Sequence, residues 1–441
     1  MAAQEQKPLT LRRNFSWTFV GNIVYAACQW LLLVVLAKLG SPEMVGEFTL
    51  GLAVTAPVIM LTNLQLRTIQ ATDVKQQYVF GDYLALRLIA TGLALLIIGG
   101  IILVAKYSWE MSLVIMVLGL ARAADSISDV FYGLLQQQER MDRIAVSMMI
   151  KGLLSPLFLG LGVYLTRTVL WGAVGLAVAW TMVLLCYDIR SGALVLNNYP
   201  REPQGEAFEK QNLSVVLRPH WHLKTLRKLA LFSLPLGLVM MLITLNTNIP
   251  RYFIEYYLGK RELGIFAAIS YLMVATAIVV NALGQSASPR LAKYYAAGNG
   301  IAFRILLLKL VGIGILLGGT GVLVAIVAGR ELLTLMYRPE YAEQADLFLW
   351  LMVATAIGEI ASFLGYGMSA ARYFHIQMPL FTLVTSTSAI VCFWLIPING
   401  LRGAAIALII AAIVQTGFSL VVIVHALHRL KRHPEKNHDI Y

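Results

Sequence analysis

Arg122, Asp125, Asp129 and Gln136 fall at i, i+3, i+7 and i+14 of one apolar stretch. That spacing places all four along one face of a helix. A charge at the centre of a bilayer costs about 2.5–3.5 kcal/mol on insertion scales, so such residues face a cavity or a partner. Two readings stay open. The four line a hydrated, charged wall, where Arg122 meets an anionic group and Asp125 and Asp129 meet an ion. Alternatively, Arg122 and Asp125 pair and lock neighbouring helices, although two carboxylates against one arginine leave one unmatched.

A second constellation holds Pro235, Asn246, Asn248, Pro250, Arg251 and Glu255. Pro250 removes a backbone donor and frees a carbonyl one turn earlier, so a bend or break is expected there. Arg251, with Asn248 close by, would then set a positive charge beside unwound backbone, suited to an anion such as a phosphate. The competing reading is an i,i+4 salt bridge from Arg251 to Glu255; otherwise Glu255 is a candidate for ion coupling. Asn22 and Gln29 lie seven apart on one face with Tyr25 between, as substrate contacts or as interhelical glue. Asn63, Gln65, Arg67, Asn281 and Gln285 read as similar glue at span ends. Glu359 is an isolated carboxyl past the middle of its stretch. It is expected to carry H+ or Na+ coupling, or else to pair with an Arg or Tyr elsewhere.

The elements that position these residues are long and apolar. The sequence is 59% hydrophobic and 13% charged, with a mean hydropathy of +0.73, whereas soluble chains carry roughly 25% charged residues. A helical crossing needs about 20 apolar residues. Twelve such stretches are read, at 15–37, 46–66, 83–104, 112–135, 149–166, 169–187, 229–257, 263–284, 303–327, 344–368, 378–398 and 402–424. Because backbone polar groups in lipid must be paired within the protein, only helices or closed barrels are available. Barrel strands would read as runs of about ten alternating residues, and these runs are continuous. The expected fold is therefore an all-α membrane protein. Thr166-Arg167-Thr168 leaves room only for a tight hairpin between two spans.

Basic residues set the expected orientation. Of the 35 Lys and Arg residues, 25 fall in segments on the side of the N-terminus and 8 on the other. This count assigns Arg87 and Lys151 to loop ends. The bias places both termini in the cytoplasm. The expected divisions are a six-helix lobe at 1–187, a basic cytoplasmic linker at 188–228, a second six-helix lobe at 229–424 and a cytoplasmic tail at 425–441. Within the linker, 213–229 reads either as an interfacial amphipathic helix or as a solvated connection. The halves look like parallel repeats. Leu39-Gly40-Ser41-Pro42-Glu43 leads to Gly46-Glu47-Phe48 after the first span, and Leu258-Gly259-Lys260-Arg261-Glu262 leads to Gly264-Ile265-Phe266 after the seventh.

Several classes are set aside. Cys28, Cys186 and Cys392 each lie in a different apolar stretch and read as small buried hydrophobes. No metal-binding spacing and no phosphate loop occurs, so neither a metal nor a cofactor is expected. The glycines at 312, 314, 318, 319 and 321 read as a close helix-packing surface. His220, His222, His425, His428, His433 and His438 read as surface residues. The net charge of +12 sits in alternate loops rather than on one face, so nucleic acid is not an expected partner. The polar first residues lack the pattern of a cleavable signal.

Leu36-Ala37-Lys38-Leu39-Gly40-Ser41-Pro42-Glu43-Met44-Val45-Gly46-Glu47-Phe48 resembles the first external loop of Wzx-type polysaccharide flippases. Asn248-Ile249-Pro250-Arg251-Tyr252, the Leu258-Gly259 and Gly264-Ile265-Phe266 pairs and Pro289-Arg290-Leu291 resemble that family too. The resemblance spans nearly the whole chain in span count, length and repeat layout. It implies a member of the multidrug/oligosaccharidyl-lipid/polysaccharide exporter superfamily: a two-lobed, twelve-helix fold of the MATE type with a cationic cavity, and no enzyme activity. It implies translocation of undecaprenyl-diphosphate-linked oligosaccharides across the bacterial inner membrane by alternating access, for O-antigen, exopolysaccharide or capsule synthesis. Arg251, through its Asn-x-Pro-Arg match, inherits contact with pyrophosphate or acidic sugar. Polymerases and glycosyltransferases are the implied partners, and the chain is expected to act as a monomer. Twelve spans argue against the lipid II branch, whose members usually have fourteen. A drug/cation antiporter on the same fold is the runner-up, and Arg122 and Arg251 disfavour it. A polymerase or ligase would need a large external catalytic loop, and none is visible in the sequence.

Overall fold

The computed structural model describes residues 11–73, 77–197 and 218–432. All regular structure among the described residues is helical, as hydrocarbon requires when every backbone donor and acceptor must be paired locally. Among the described residues, eleven helices are long and apolar enough to cross a membrane. The last runs over 56 residues and breaks at Gly400, whose φ of 58° and ψ of −137° interrupt the helical path. Split there, it supplies the eleventh and twelfth expected spans. Leu96, Leu103, Leu316 and Val327 are more than two-thirds exposed, which suits surfaces solvated by lipid tails. The protein is a multi-pass membrane protein.

Contacts divide the chain into two compact units, Met1–Met241 and Leu242–Tyr441. In the first, α1 (Leu11–Leu39), α2 (Pro42–Asn63), the short α3 (Leu66–Thr72), α4 (Phe80–Ala105), α5 (Trp109–Gln137), α6 (Met141–Thr166) and α7 (Val169–Val183) follow one another closely. Their starts are specified locally. Ser41 caps α2 by accepting from the Met44 amide at 3.4 Å, ahead of Pro42 in the first turn. Ser108 does the same for α5 through Met111. The expected hairpin at Thr166-Arg167-Thr168 forms with Arg167 in the left-handed region. It is tight enough that a Cβ on Gly175 would stand 2.4 Å from the Phe158 carbonyl oxygen.

After α7 the helix does not stop. A π turn over Leu184–Asp188 leads into α8 (Ile189–Asn197). The expected start of the linker at residue 188 is thereby corrected, since Asp188 is fully buried. α9 spans Leu223–Leu258, and the division between the two units falls inside it. Of the expected amphipathic segment at 213–229, residues 213–217 lie outside the described residues, as do His433, His438 and the end of the tail. The chain joins α9's approach to α4, where the His220 amide donates to the Gly81 carbonyl at 3.0 Å. α9 is assigned as helix without interruption through Pro250. The expected break there is corrected: the freed carbonyl does not end the helix.

The second unit continues with α10 (Lys260–Ser270), a 3-10 turn at Tyr271–Met273 and α11 (Val274–Ala296). α12 (Gly300–Met336) starts from Asn299, whose side chain accepts from the Ala302 amide. Then come the one-turn α13 (Pro339–Ala342), α14 (Ala345–Ala370) and α15 (Gln377–Arg432). Leu307, Phe363, Met368, Leu380 and Val384 anchor its apolar core. Both repeat motifs do the same local job. The chain leaves one helix at Leu39 or Leu258 and enters the next at Pro42 or Lys260.

Candidate functional site

In the first unit the helical face read on α5 meets cations from three other helices. Asp125 accepts from Lys151 Nζ of α6 at 2.8 Å. Asp129 accepts from Arg87 Nη2 of α4 at 3.0 Å and lies 3.6 Å from Arg67 of α3. Arg87 also bonds Asn63, and Arg67 Nε donates to Gln136 at 3.0 Å. Two expectations are corrected. Arg122 and Asp125 do not form the internal pair, and neither carboxylate is left unmatched. Asp125 and Asp129, candidates for ion coupling, are each held in an ion pair. Arg87 and Lys151 are buried, at 0% and 1% exposure, and not at the loop ends where the charge count put them.

Aromatic faces complete this cluster. Lys151 rests over the rings of Tyr132 and Trp180 at 5.2 and 5.9 Å. Arg67 faces Tyr132 at 5.4 Å and Arg122 faces Trp180 at 5.4 Å, distances at which ring quadrupoles attract cations. The Trp180 indole is fixed by donating to Ser155 at 2.8 Å. Arg122 keeps one donor in reserve, because its Nε is buried without a partner. Gln29 of α1 likewise has a buried Nε2 without a partner. Asn22 is exposed and donates back to the Thr18 carbonyl of its own helix. The cluster thus has four cations, Arg67, Arg87, Arg122 and Lys151, around Asp125 and Asp129.

In the second unit, Arg251 and Glu359 each stand without an oppositely charged partner among the described residues. Arg251 Nη1 donates to Asn248 Oδ1 at 2.9 Å, and Asn248 is anchored in turn by donating to the Thr244 carbonyl at 2.8 Å. The competing Arg251–Glu255 salt bridge does not form, and among the described residues no carboxylate pairs with Arg251. Its Nε is buried without a partner. Glu255 has Lys260 as its charged neighbour instead. Glu359 on α14 is 4% exposed, and both its oxygens lack hydrogen-bond partners. Thr276 of α11 stands beside it, but the threonine hydroxyl is donated to the Met273 carbonyl. Gly318 of α12 makes room for this carboxyl. A Cβ there would lie 2.5 Å from Ala356 and 3.3 Å from Glu359 Oε2. Gly314 and Gly318 therefore pack helices closely, as expected of the glycine cluster, whereas Gly312 and Gly319 face open space.

The sequence reading missed Arg87 and Lys151 as members of this cluster. The signal was present for both, which fall inside apolar stretches, but proximity to stretch ends made them read as interfacial. No group of three or more His, Cys, Asp or Glu among the described residues is arranged to hold a metal ion.

Residues 11–295 match the family model described as "Polysaccharide biosynthesis protein". The capsular polysaccharide biosynthesis protein CapF of Staphylococcus aureus is 27% identical over 402 residues, covering 91% of this chain and 96% of that protein. Among solved structures, an inward-facing multidrug resistance MATE family transporter of the MOP superfamily superposes with a TM-score of 0.72 at 14% identity, over 95% of this chain and 100% of that one. The lipid II flippase MurJ, in an inward closed conformation, gives 0.71 at 10% identity over 94% and 90%. At such identities these two likenesses bear on the fold alone, which is all-helical and MATE-like.

Proposed function

This chain belongs to the polysaccharide biosynthesis protein family, and on that premise we propose that it is a flippase for lipid-linked oligosaccharide precursors of a surface polysaccharide. Its structural neighbours are transporters and a flippase, so the work assigned to it is movement and not bond making. The substrate in this reading carries its sugar on undecaprenyl diphosphate and crosses the bacterial inner membrane by alternating access, with both termini of the protein in the cytoplasm. A sugar–pyrophosphate head group cannot cross hydrocarbon unaided, because its polar groups would be stripped of partners at a cost of several kcal/mol each.

One observation carries the reading: Arg251 is a guanidinium within a membrane helix that no carboxylate among the described residues balances. A buried cation without a counter-ion is expensive, and a pyrophosphate or acidic sugar supplies the missing charge. Asn248 aims the guanidinium, and Arg122, with its own spare Nε, is the corresponding contact in the first unit. Gln29 offers an amide donor there. Glu359 is the favoured site for coupling to H+ or Na+. Polymerase and glycosyltransferase partners, and action as a monomer, belong to the same proposal.

The runner-up, a drug/cation antiporter, draws on Glu359 as a partnerless carboxyl in an apolar setting. The test is accumulation of the lipid-linked intermediate on the cytoplasmic leaflet of a deletion strain, reversed by the wild-type chain. An unaltered distribution of that intermediate, with drug efflux lost instead, would favour the antiporter.

A further inference from the structure

A short chain of hydroxyls ends on Asp188, a carboxyl that the ion pairs of the first unit leave out. Asp188 closes the π turn Leu184–Asp188 and is 0% exposed. Single π turns inside helices recur at functional positions. Ser147 of α6 donates to Asp188 Oδ1 at 2.5 Å, a length typical of a hydroxyl on a carboxylate. The Ser147 oxygen is then free to accept from the Tyr132 hydroxyl, 2.7 Å away. Ser128 of α5 also stands beside the carboxyl. Neither the Ser128 hydroxyl nor Asp188 Oδ2 has a hydrogen-bond partner.

The contrast with Asp125 and Asp129 is chemical. Those two are gripped by an ammonium and by guanidinium groups, which carry positive charge and only donate, and so favour the ionised carboxylate. Asp188 is touched by hydroxyls, and a hydroxyl both donates and accepts. Ionised, Asp188 takes a hydrogen bond from Ser147 on Oδ1 and, once the Ser128 side chain turns about its Cα–Cβ bond, can take a second from that hydroxyl on Oδ2. Neutral, it can donate Oδ2–H to the Ser128 oxygen while Ser147 still donates to Oδ1. Either protonation state asks for a side-chain rotation of Ser128 and no change of the backbone. The other groups acting on Asp188 are Lys151 from α6 and Asp125 from α5. Lys151 is already committed to Asp125 at 2.8 Å. On its own element the neighbour is Tyr187, which faces Arg143 and Asp142.

We propose that Asp188 is a proton-binding carboxyl of the first unit, exchanging a proton on Oδ2 against the Ser128 hydroxyl. Uptake removes a negative charge from the surroundings of Lys151 and Asp125 and leaves four cations facing two carboxylates instead of three. A more cationic cluster binds an anion more tightly, and by reciprocity a bound anion favours the protonated carboxyl. That use as a coupling device rests on the transport reading; the proton exchange does not.

The test is pH-difference infrared spectroscopy of the full-length protein in lipid nanodiscs, without substrate. Wild type is expected to gain buried carboxylic-acid C=O absorption as pH falls. Asp188→Asn should remove one component that Asp125→Asn and Glu359→Gln leave in place. Ser128→Ala should move the midpoint of that component by about one pH unit, a tenfold change in proton affinity. An unchanged difference spectrum in Asp188→Asn overturns the proposal. If Asp188→Asn fails to fold, an unmoved midpoint in Ser128→Ala overturns it. An intact Asp188 band in a protein that moves no glycolipid would overturn the transport reading alone.

Discussion

Lys151 Nζ lies 2.8 Å from Asp125 Oδ1, inside an apolar bundle and against the faces of Tyr132 and Trp180. The ammonium is all but sealed from solvent while the carboxylate side chain keeps about a third of its surface. Breaking a buried pair from one side strands a charge, which typically costs about 3–5 kcal/mol. Lys151→Met should therefore lower the thermal midpoint of the purified protein sharply. The double variant Lys151→Met with Asp125→Leu should recover much of that loss, because neither member of the pair is left without the other. A Lys151→Met protein as heat-resistant as wild type would remove this pair from the scaffold.

Arg251 is held by Asn248 and by no carboxylate among the described residues, so its removal strands no partner charge. Arg251→Ala is expected to abolish transport while yield and monodispersity stay at wild-type levels. Asn248→Ala should weaken transport less, since it frees the guanidinium without deleting it. Its stability cost should be about 1–3 kcal/mol, because it removes the bonds to Arg251 and to the Thr244 carbonyl and leaves a buried donor unsatisfied. Wild-type polymer production from a well-expressed Arg251→Ala strain excludes the residue from the mechanism.

Glu359 has no donor on either oxygen, and the isosteric amide should fit the same space. Glu359→Gln is expected to fold normally and to transport at a rate that no longer responds to an imposed proton or sodium gradient. Proteoliposomes with controlled internal and external solutions provide the measurement. Retention of the wild-type gradient response would assign coupling elsewhere.

Two glycines on α12 should respond oppositely to the same added methyl. At Gly318 a Cβ would meet Ala356 at 2.5 Å, so Gly318→Ala must push α12 and α14 apart, at a cost of about 1–3 kcal/mol. At Gly312 nothing lies within 4 Å, and Gly312→Ala should be neutral or stabilising by up to about 1 kcal/mol through helix propensity. Thermal unfolding of the two variants side by side decides this, and equal shifts would contradict the packing described.

Much of the fold was legible because the bilayer leaves few options. Long apolar runs become helices. Ser41-Pro42 and Ser108 announce starts through their own side chains, and Thr166-Arg167-Thr168 leaves room only for a hairpin. The spans expected at 378–398 and 402–424 lie in one long helix with a kink at Gly400 between them, which is consistent with that division. The site was legible only in part. The face bearing Arg122, Asp125 and Asp129 was found because it is a local periodicity. Its partners Lys151, Arg87 and Arg67 lie on other helices, and no local pattern ties them to it. Asp188 was read as the start of a linker because a polar residue after an apolar run usually ends a span; here a π turn folds it back into the protein.

The sequence alone determined that this chain lives in lipid, that it is helical throughout its spans, and which helix faces carry charge. Each of these follows from interactions within a few residues or from the solvent the composition demands. Only the tertiary structure decided which charges are cancelled and which stand alone. Asp125 and Asp129 found cations, while Arg251 and Glu359 did not find each other's kind. Pairing across helices depends on how side chains from distant segments are brought within a few ångströms, and at such distances in low dielectric the energy of a charge is set by its neighbours more than by its own identity.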